Sequence, residues 1–245
     1  MTVAGRAVLP TARGLFGDTD GTVRALRDDV DRALAALPAV DAFVLLAAGD
    51  QALVHDASAA ELTHDGTVEI RADLRHDEAL LGALAARGQT PRIRDDRLTG
   101  DLGALAVLVT AVQPQACVQP VTVPRAAGRE ALEAAAAGLV GAVRATRRRV
   151  VLVAAGDLAR RQGADDLAAA VAWDRAAVAA VADGDLDAIA CLGPGAASTH
   201  GASGWAPLAV LLGATSGAGP FARVGHHVVD GAGRLVAGES TATDP

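Results

Sequence analysis

One short stretch limits what this chain can become. Val150 to Ala155 is a continuous apolar run, entered from Arg149 and left through Gly156-Asp157. A run of that length with no polar alternation reads as a strand buried on both faces. Phe43 to Ala48 has the same form and is closed by Gly49-Asp50. Strands of this kind need helices on both sides of the sheet, which points to an α/β architecture. In such sheets ligands bind beyond the carboxyl ends of the strands. Asp157 to Arg161 is therefore the first place to look for function.

The rest of the chain alternates in the same rhythm. Gly5 to Leu9 reads as a first strand, closed by Pro10. Val23, Leu26, Val30, Leu34 and Leu37 recur at spacings of three and four, the pattern of an amphipathic helix, capped by Asp20 or Thr22 after a turn at Asp18 to Gly21 and ended by Pro38. Gln51 to His55 and Thr67 to Ile70 read as short edge strands around a turn at His64-Asp65-Gly66. Asp77 to Arg87 reads as a helix, Gln89 to Gly103 as a loop, and Ala104 to Thr110 as a buried strand. Cys117 to Val123 reads as a strand, placed at a sheet edge by Pro114, Pro120 and Pro124. Helices follow at Gly128 to Thr146, Asp165 to Ala182 and Leu186 to Leu192, then a loop from Gly193 to Gly204 and a helix at Trp205 to Ala214. Phe221 to Val229 and Arg234 to Ala237 close the chain as two strands around Asp230-Gly231-Ala232-Gly233. The expectation is a single domain over residues 1–245, with a mixed central β-sheet flanked by helices.

Composition removes several chemistries. All 22 basic residues are arginine, and Lys, Asn and Tyr are absent. Lysine Schiff bases, the phosphate-loop lysine and tyrosine acids are thereby excluded. The net charge of -7 argues against a nucleic-acid footprint. No apolar run approaches the roughly 20 residues of a membrane span, and Met1 to Pro10 carries no signal-peptide pattern. Cys117 and Cys191 have no CxxC spacing and read as two buried thiols of a reduced, cytoplasmic protein. The glycine pairs at Gly193-Pro194-Gly195 and Gly231-Ala232-Gly233 lack the strand-to-helix setting of a dinucleotide loop and read as turns. Ser203, in Gly201-Ala202-Ser203-Gly204-Trp205, lacks the second glycine of a nucleophile elbow. Of the six histidines, His226 and His227 are adjacent in a strand and must face opposite ways. His55, His64 and His76 fall in irregular sequence, and each single histidine reads as a surface residue.

Several pieces together resemble a known family. Val151 to Leu158 is similar to the central strand and "SGDLSH" segment of class III extradiol ring-cleavage dioxygenases (catalytic B subunit) and the related Memo proteins. Trp173-Asp174-Arg175 through Gly184-Asp185-Leu186, the helix start at Gly204 to Leu212, and the closing strand pair at Val228 to Ala237 resemble further segments in the same order. The resemblance implies that family's scaffold. In its active members it also implies non-haem Fe(II) held by two histidines and a carboxylate. At the matching positions this chain has Thr11 after Pro10, Asp50 after the second strand, Ser203 before the Gly204 motif, and Arg160 in place of the last histidine. One carboxylate and two hydroxyls hold Fe(II) weakly, and Arg160 opposes a cation.

Three readings follow. The first is a catalytically degenerate relative whose cleft, lined by Thr11, Asp50, Arg160 and Ser203, holds no metal and binds a small anionic molecule. The second is an active Fe(II)-dependent dioxygenase with relocated ligands, Asp50 and His55 with His200. The third is a partner-binding or homo-oligomeric subunit packing through the Ala-rich helices 128–146 and 165–182.

Overall fold

The computed structural model describes residues 2–11, 21–64, 67–161 and 166–239. Their order is β1 (Thr2–Leu9), α1 (Gly21–Ala35), β2 (Ala42–Gly49), β3 (Leu53–Ala57), β4 (Ala59–His64), β5 (Thr67–Asp73), α2 (Glu78–Arg87), β6 (Arg92–Asp95), α3 (Gly100–Val112), β7 (Cys117–Pro124), α4 (Arg129–Thr146), β8 (Arg149–Ala155), β9 (Asp157–Arg160), α5 (Leu167–Asp183), α6 (Leu186–Leu192), α7 (Pro194–Thr199), α8 (Trp205–Ala214), β10 (Arg223–Val229) and β11 (Ala232–Gly238). The main sheet runs β10-β11-β1-β8-β2-β7-β3-β6, with β9 paired to β11. Strands β1, β8, β2 and β7 are parallel, while β11 and β3 join antiparallel. This is a single-domain α/β fold with a mixed central sheet flanked by helices.

The apolar run at 150–155 lies where its composition demands, between β1 and β2 with both faces covered. Alternate residues serve two cores. Val150, Leu152 and Ala154 pack with Val44 and Leu46 beneath α2, α4, α5 and α8. Val151, Val153 and Ala155 pack with Phe43 and Leu45 against α1 and α3. The two-sided burial follows from the two-residue period of a strand.

Five expectations change. Ala104 to Thr110 is the middle of helix α3, not a strand. The helix is buried nearly all round, and an apolar run surrounded by protein carries no period to separate the two. Strand β7 is interior, between β2 and β3. Its prolines are tolerated because β3 pairs with it only at Val121 and Thr122, leaving Pro120, which has no N–H to give, outside that ladder. Below it, Val118 bonds to the Arg75 carbonyl and to His76 instead. The segments 89–103 and 193–204 are not simple loops: they hold β6, the start of α3, and α7, while β4 intervenes in the region read as two edge strands. Finally, four of the histidines are not surface residues. His55, His76, His226 and His227 are each a quarter exposed or less. Cys191 is exposed and Cys117 half-buried, rather than both buried.

Other expectations hold. Asp77 caps α2 through the Leu80 N–H. Asp230 and Gly231 form a two-residue hairpin turn with φ of 51° and 67°, the left-handed pair that a tight hairpin requires. The cap at Asp20, the turn residues 18–20 and 65–66, and the helix start at Asp165 lie outside the described residues.

Candidate functional site

The carboxyl ends of β1 and β8 open into a cleft of about 600 Å³. Gly156 makes the opening. Its N–H bonds to the Leu9 carbonyl and its carbonyl accepts from Leu235, so the chain passes tightly between β1 and β11. It then turns into β9 and delivers Asp157 and Arg160 to the cleft. Gly204 fixes the other wall. Its N–H donates to the Asp157 carbonyl at 2.7 Å, and a Cβ there would meet that oxygen at 2.7 Å and the Ala155 carbonyl oxygen at 2.9 Å. The glycine lets α8 start against the strand end, with Ser203 facing the cleft.

One side of the cleft is a hydrogen-bonded acid cluster. Asp157 is nearly buried and pairs with Arg234. Thr11 approaches it through both its N–H and its hydroxyl. The same hydroxyl lies 2.8 Å from Asp101, in the first turn of α3. A threonine hydroxyl has one hydrogen, so it donates to one of the two carboxylates at a time. Burial raises the Asp101 carboxyl above its ordinary value, and the Asp157 charge adds to this. The Thr11 hydrogen bond and the Arg234 and Arg125 charges oppose it without prevailing.

The sign of the pH effect follows. A raised carboxyl favours the folded state while protonated, below the unfolded value of 3.8, and loses that contribution as pH rises through its folded value. Asp101→Asn keeps a neutral donor for Thr11. It is expected to gain stability relative to the parent as pH rises from about 4 to 7, the range above that reference value. Urea denaturation across this range reads it, and a difference that is flat with pH would show that Asp101 ionises in the ordinary range.

The other side is cationic. Arg125, at the end of β7, and Arg160 line both this cleft and an adjoining lobe of about 280 Å³, together with Gly201 and Ser203. The Arg125 guanidinium is 3.7 Å from Asp50, with both side chains largely exposed. That geometry contributes little. Arg160 is exposed, its stem lies over Gly201, and among the described residues its guanidinium has no carboxylate partner.

Of the residues singled out from sequence, Thr11, Arg160 and Ser203 share the cleft. Asp50 does not line it; its side chain is 95% exposed and turned to Arg125. The alternative set is dispersed. His55 pairs with Asp95 at 2.7 Å and with Thr122, His200 lies beside the Trp173 ring, and Asp50 is at the surface. Among the described residues no three His, Cys, Asp or Glu side chains group so as to hold a metal. The cleft's own lining, four carboxylates (Glu61, Asp101, Asp157 and Asp230) and two hydroxyls with three arginines and no imidazole, does not fit Fe(II), which is held by imidazole and carboxylate. Asp101, Arg125 and Arg234 were not singled out from sequence. Asp101 was hidden because Gln89 to Gly103 reads as a loop; an acidic residue in the first turn of a 13-residue helix was the available signal.

No protein-family model matches the chain, and no curated protein matches it. Among solved structures it is similar to the crystal structure of an uncharacterized protein, JW3007, from Escherichia coli K12. The TM-score is 0.63 at 16% sequence identity, over 96% of this chain and 98% of that one. At that identity the likeness shows a shared fold.

Proposed function

We propose that this chain is a class III extradiol dioxygenase-like scaffold that keeps the strand-end cleft, lacks the iron-binding set, and binds a small organic anion there. The observation that carries the reading is Arg125 and Arg160 facing one cleft, with Arg160 unpartnered by any carboxylate among the described residues. A guanidinium presents a planar fork of donors suited to a carboxylate, and a hydrogen bond to a charged group contributes about 1.5–3 kcal/mol. Ser203 adds a hydroxyl on the same wall. The Asp157–Thr11–Asp101 cluster forms the opposite wall. It repels a second negative group.

The test is calorimetric titration with a panel of small mono- and dicarboxylates, with and without phosphate. Binding of a carboxylate is expected to weaken by at least about tenfold in Arg160→Ala. Arg125→Ala is expected to weaken it similarly. A Thr11→Val protein that binds as the parent does would leave the anion subsite intact and separate it from the acid cluster. Stoichiometric iron in protein from iron-supplemented cells, or carboxylate affinity unchanged in both arginine variants, would overturn the reading.

A further inference from the structure

Strand β9 sets an acidic and a basic residue apart on one face of the cleft. Asp157 and Arg160 are three residues apart, which in a regular strand would point them to opposite faces. Their partners on β11, Arg234 and Ala232, are two residues apart. Three steps against two make a bulge, and the bulge returns Arg160 to the face of Asp157. All four residues line the cleft. Along β11 the two pairs are separated by about 7 Å, at about 3.4 Å per residue. The acid cluster and Arg160 therefore stand at different ends of the cleft.

Each end holds one charge without a counter-charge. Asp157 is taken by Arg234, and Glu61 by Arg71 and Arg97. Asp101 is half-buried and is hydrogen-bonded by the Thr11 hydroxyl, while Arg234 and Arg125 act on it only at a distance. Asp230 is exposed on the hairpin turn. Arg160 has no carboxylate partner among the described residues. Counted whole, the lining carries four carboxylates against three guanidinium groups. A simple carboxylate adds to that excess of negative charge, whereas a molecule bearing both signs does not. A partly buried carboxylate without a cation is costly, and a cation supplied by a ligand offsets the cost. The raised Asp101 carboxyl is what that missing cation leaves behind.

We propose that the anion bound in this cleft is zwitterionic: an amino-carboxylate with its charges at opposite ends, its carboxylate on Arg160 and its ammonium on Asp101. The inference rests on the assignment of the cleft to a small organic anion.

Calorimetric titration at pH 7 with matched probes tests it. Pentanoate is the reference. ω-Aminopentanoate, or its four- or six-carbon homologue, is expected to bind at least about tenfold more tightly than the plain carboxylate of the same length. Pentanedioate is expected to bind more weakly than pentanoate. In α-aminopentanoate the two charges are adjacent, and no gain over pentanoate is expected. Asp101→Asn is expected to abolish the preference for the ω-amine while still binding pentanoate, and Arg160→Ala to weaken both ligands. Retained pentanoate binding shows that Asp101→Asn is folded. A parent that binds pentanoate through Arg160 but gains nothing from any ω-amine, or gains more from the α-amine, overturns the proposal and leaves the anion site standing. A preference that survives Asp101→Asn also overturns it, and its loss in Asp230→Asn instead would move the ammonium to the hairpin turn. Failure of every probe to bind with dependence on Arg160 defeats the anion site itself.

Discussion

Asp174→Ala is expected to lower the unfolding free energy by about 3–5 kcal/mol, the cost of leaving buried charged groups without their partner. The Asp174 side chain is completely buried. It accepts from the Ala159 N–H at 2.8 Å and from Arg161 at 2.9 Å, with His226 Nε2 3.4 Å away. One carboxylate thereby ties α5 to β9 and β10. Burial by itself raises this carboxyl, but the nearby His226 ring and the hydrogen bonds from Arg161 and the Ala159 N–H outweigh it, and the net displacement is below the ordinary value of 3.8. A lowered carboxyl contributes stability above its unfolded value and loses it as pH falls through its folded value. The parent should therefore lose this contribution on acidification below about pH 4. Asp174→Ala should show a flatter acid limb. Urea denaturation at pH 7 and on the acid limb reads both effects. A loss under about 1 kcal/mol would mean that Arg161 and His226 find water or other partners. Asp174→Asn keeps one acceptor for the Ala159 N–H and should fall between parent and alanine variant.

Gly156→Ala is expected to be destabilising by about 3 kcal/mol, at the upper end of the usual range for overpacking. A Cβ at this position would meet the Leu235 carbonyl oxygen at 2.3 Å and Val8 Cγ1 at 2.8 Å. The first contact is backbone in the middle of β11, which cannot rotate away. Relief requires parting β11 from the turn between β8 and β9, and that moves Asp157 and Arg234 together with the cleft wall they form. The informative control is Gly141→Ala in α4, where the nearest atom is Arg87 Cδ at 3.7 Å. That substitution should stabilise by about 0.5–1 kcal/mol through helix propensity. Thermal melts of the two variants should shift in opposite directions. Similar shifts for both would mean that the Gly156 contacts relax without cost.

The two predictions concern residues whose types are legible in sequence but whose reasons are not. Gly156-Asp157 stood out because it ends an apolar run. That the glycine is required by a carbonyl from a strand nearly 80 residues later is a property of the β8–β9–β11 junction alone. Asp174 belongs to a segment noticed for its resemblance, yet nothing local says that its carboxylate is buried against Arg161 and His226. The helix α3 shows the opposite failure. Its residues 104–110 read as a strand because a fully buried element shows no polar face, and its first turn, with Asp101, read as the end of a loop. The prolines of β7 misled for a related reason: proline excludes a strand from a continuous ladder, but β3 meets β7 over two residues only.

The sequence by itself determined the layered α/β class, the central place of 150–155, and the tight turn at Asp230-Gly231. Each of these follows from hydrophobic run length and local backbone preference, which are written in consecutive residues. Only the tertiary structure decided that Thr11, Asp101, Asp157 and Arg234 form one hydrogen-bonded cluster, that Arg125 and Arg160 face the same cleft, and that Asp50 stands apart from it. These residues come from six different strands and helices. A side chain's neighbours across such distances are set by the sheet order and by where the chain turns, and no local period records either.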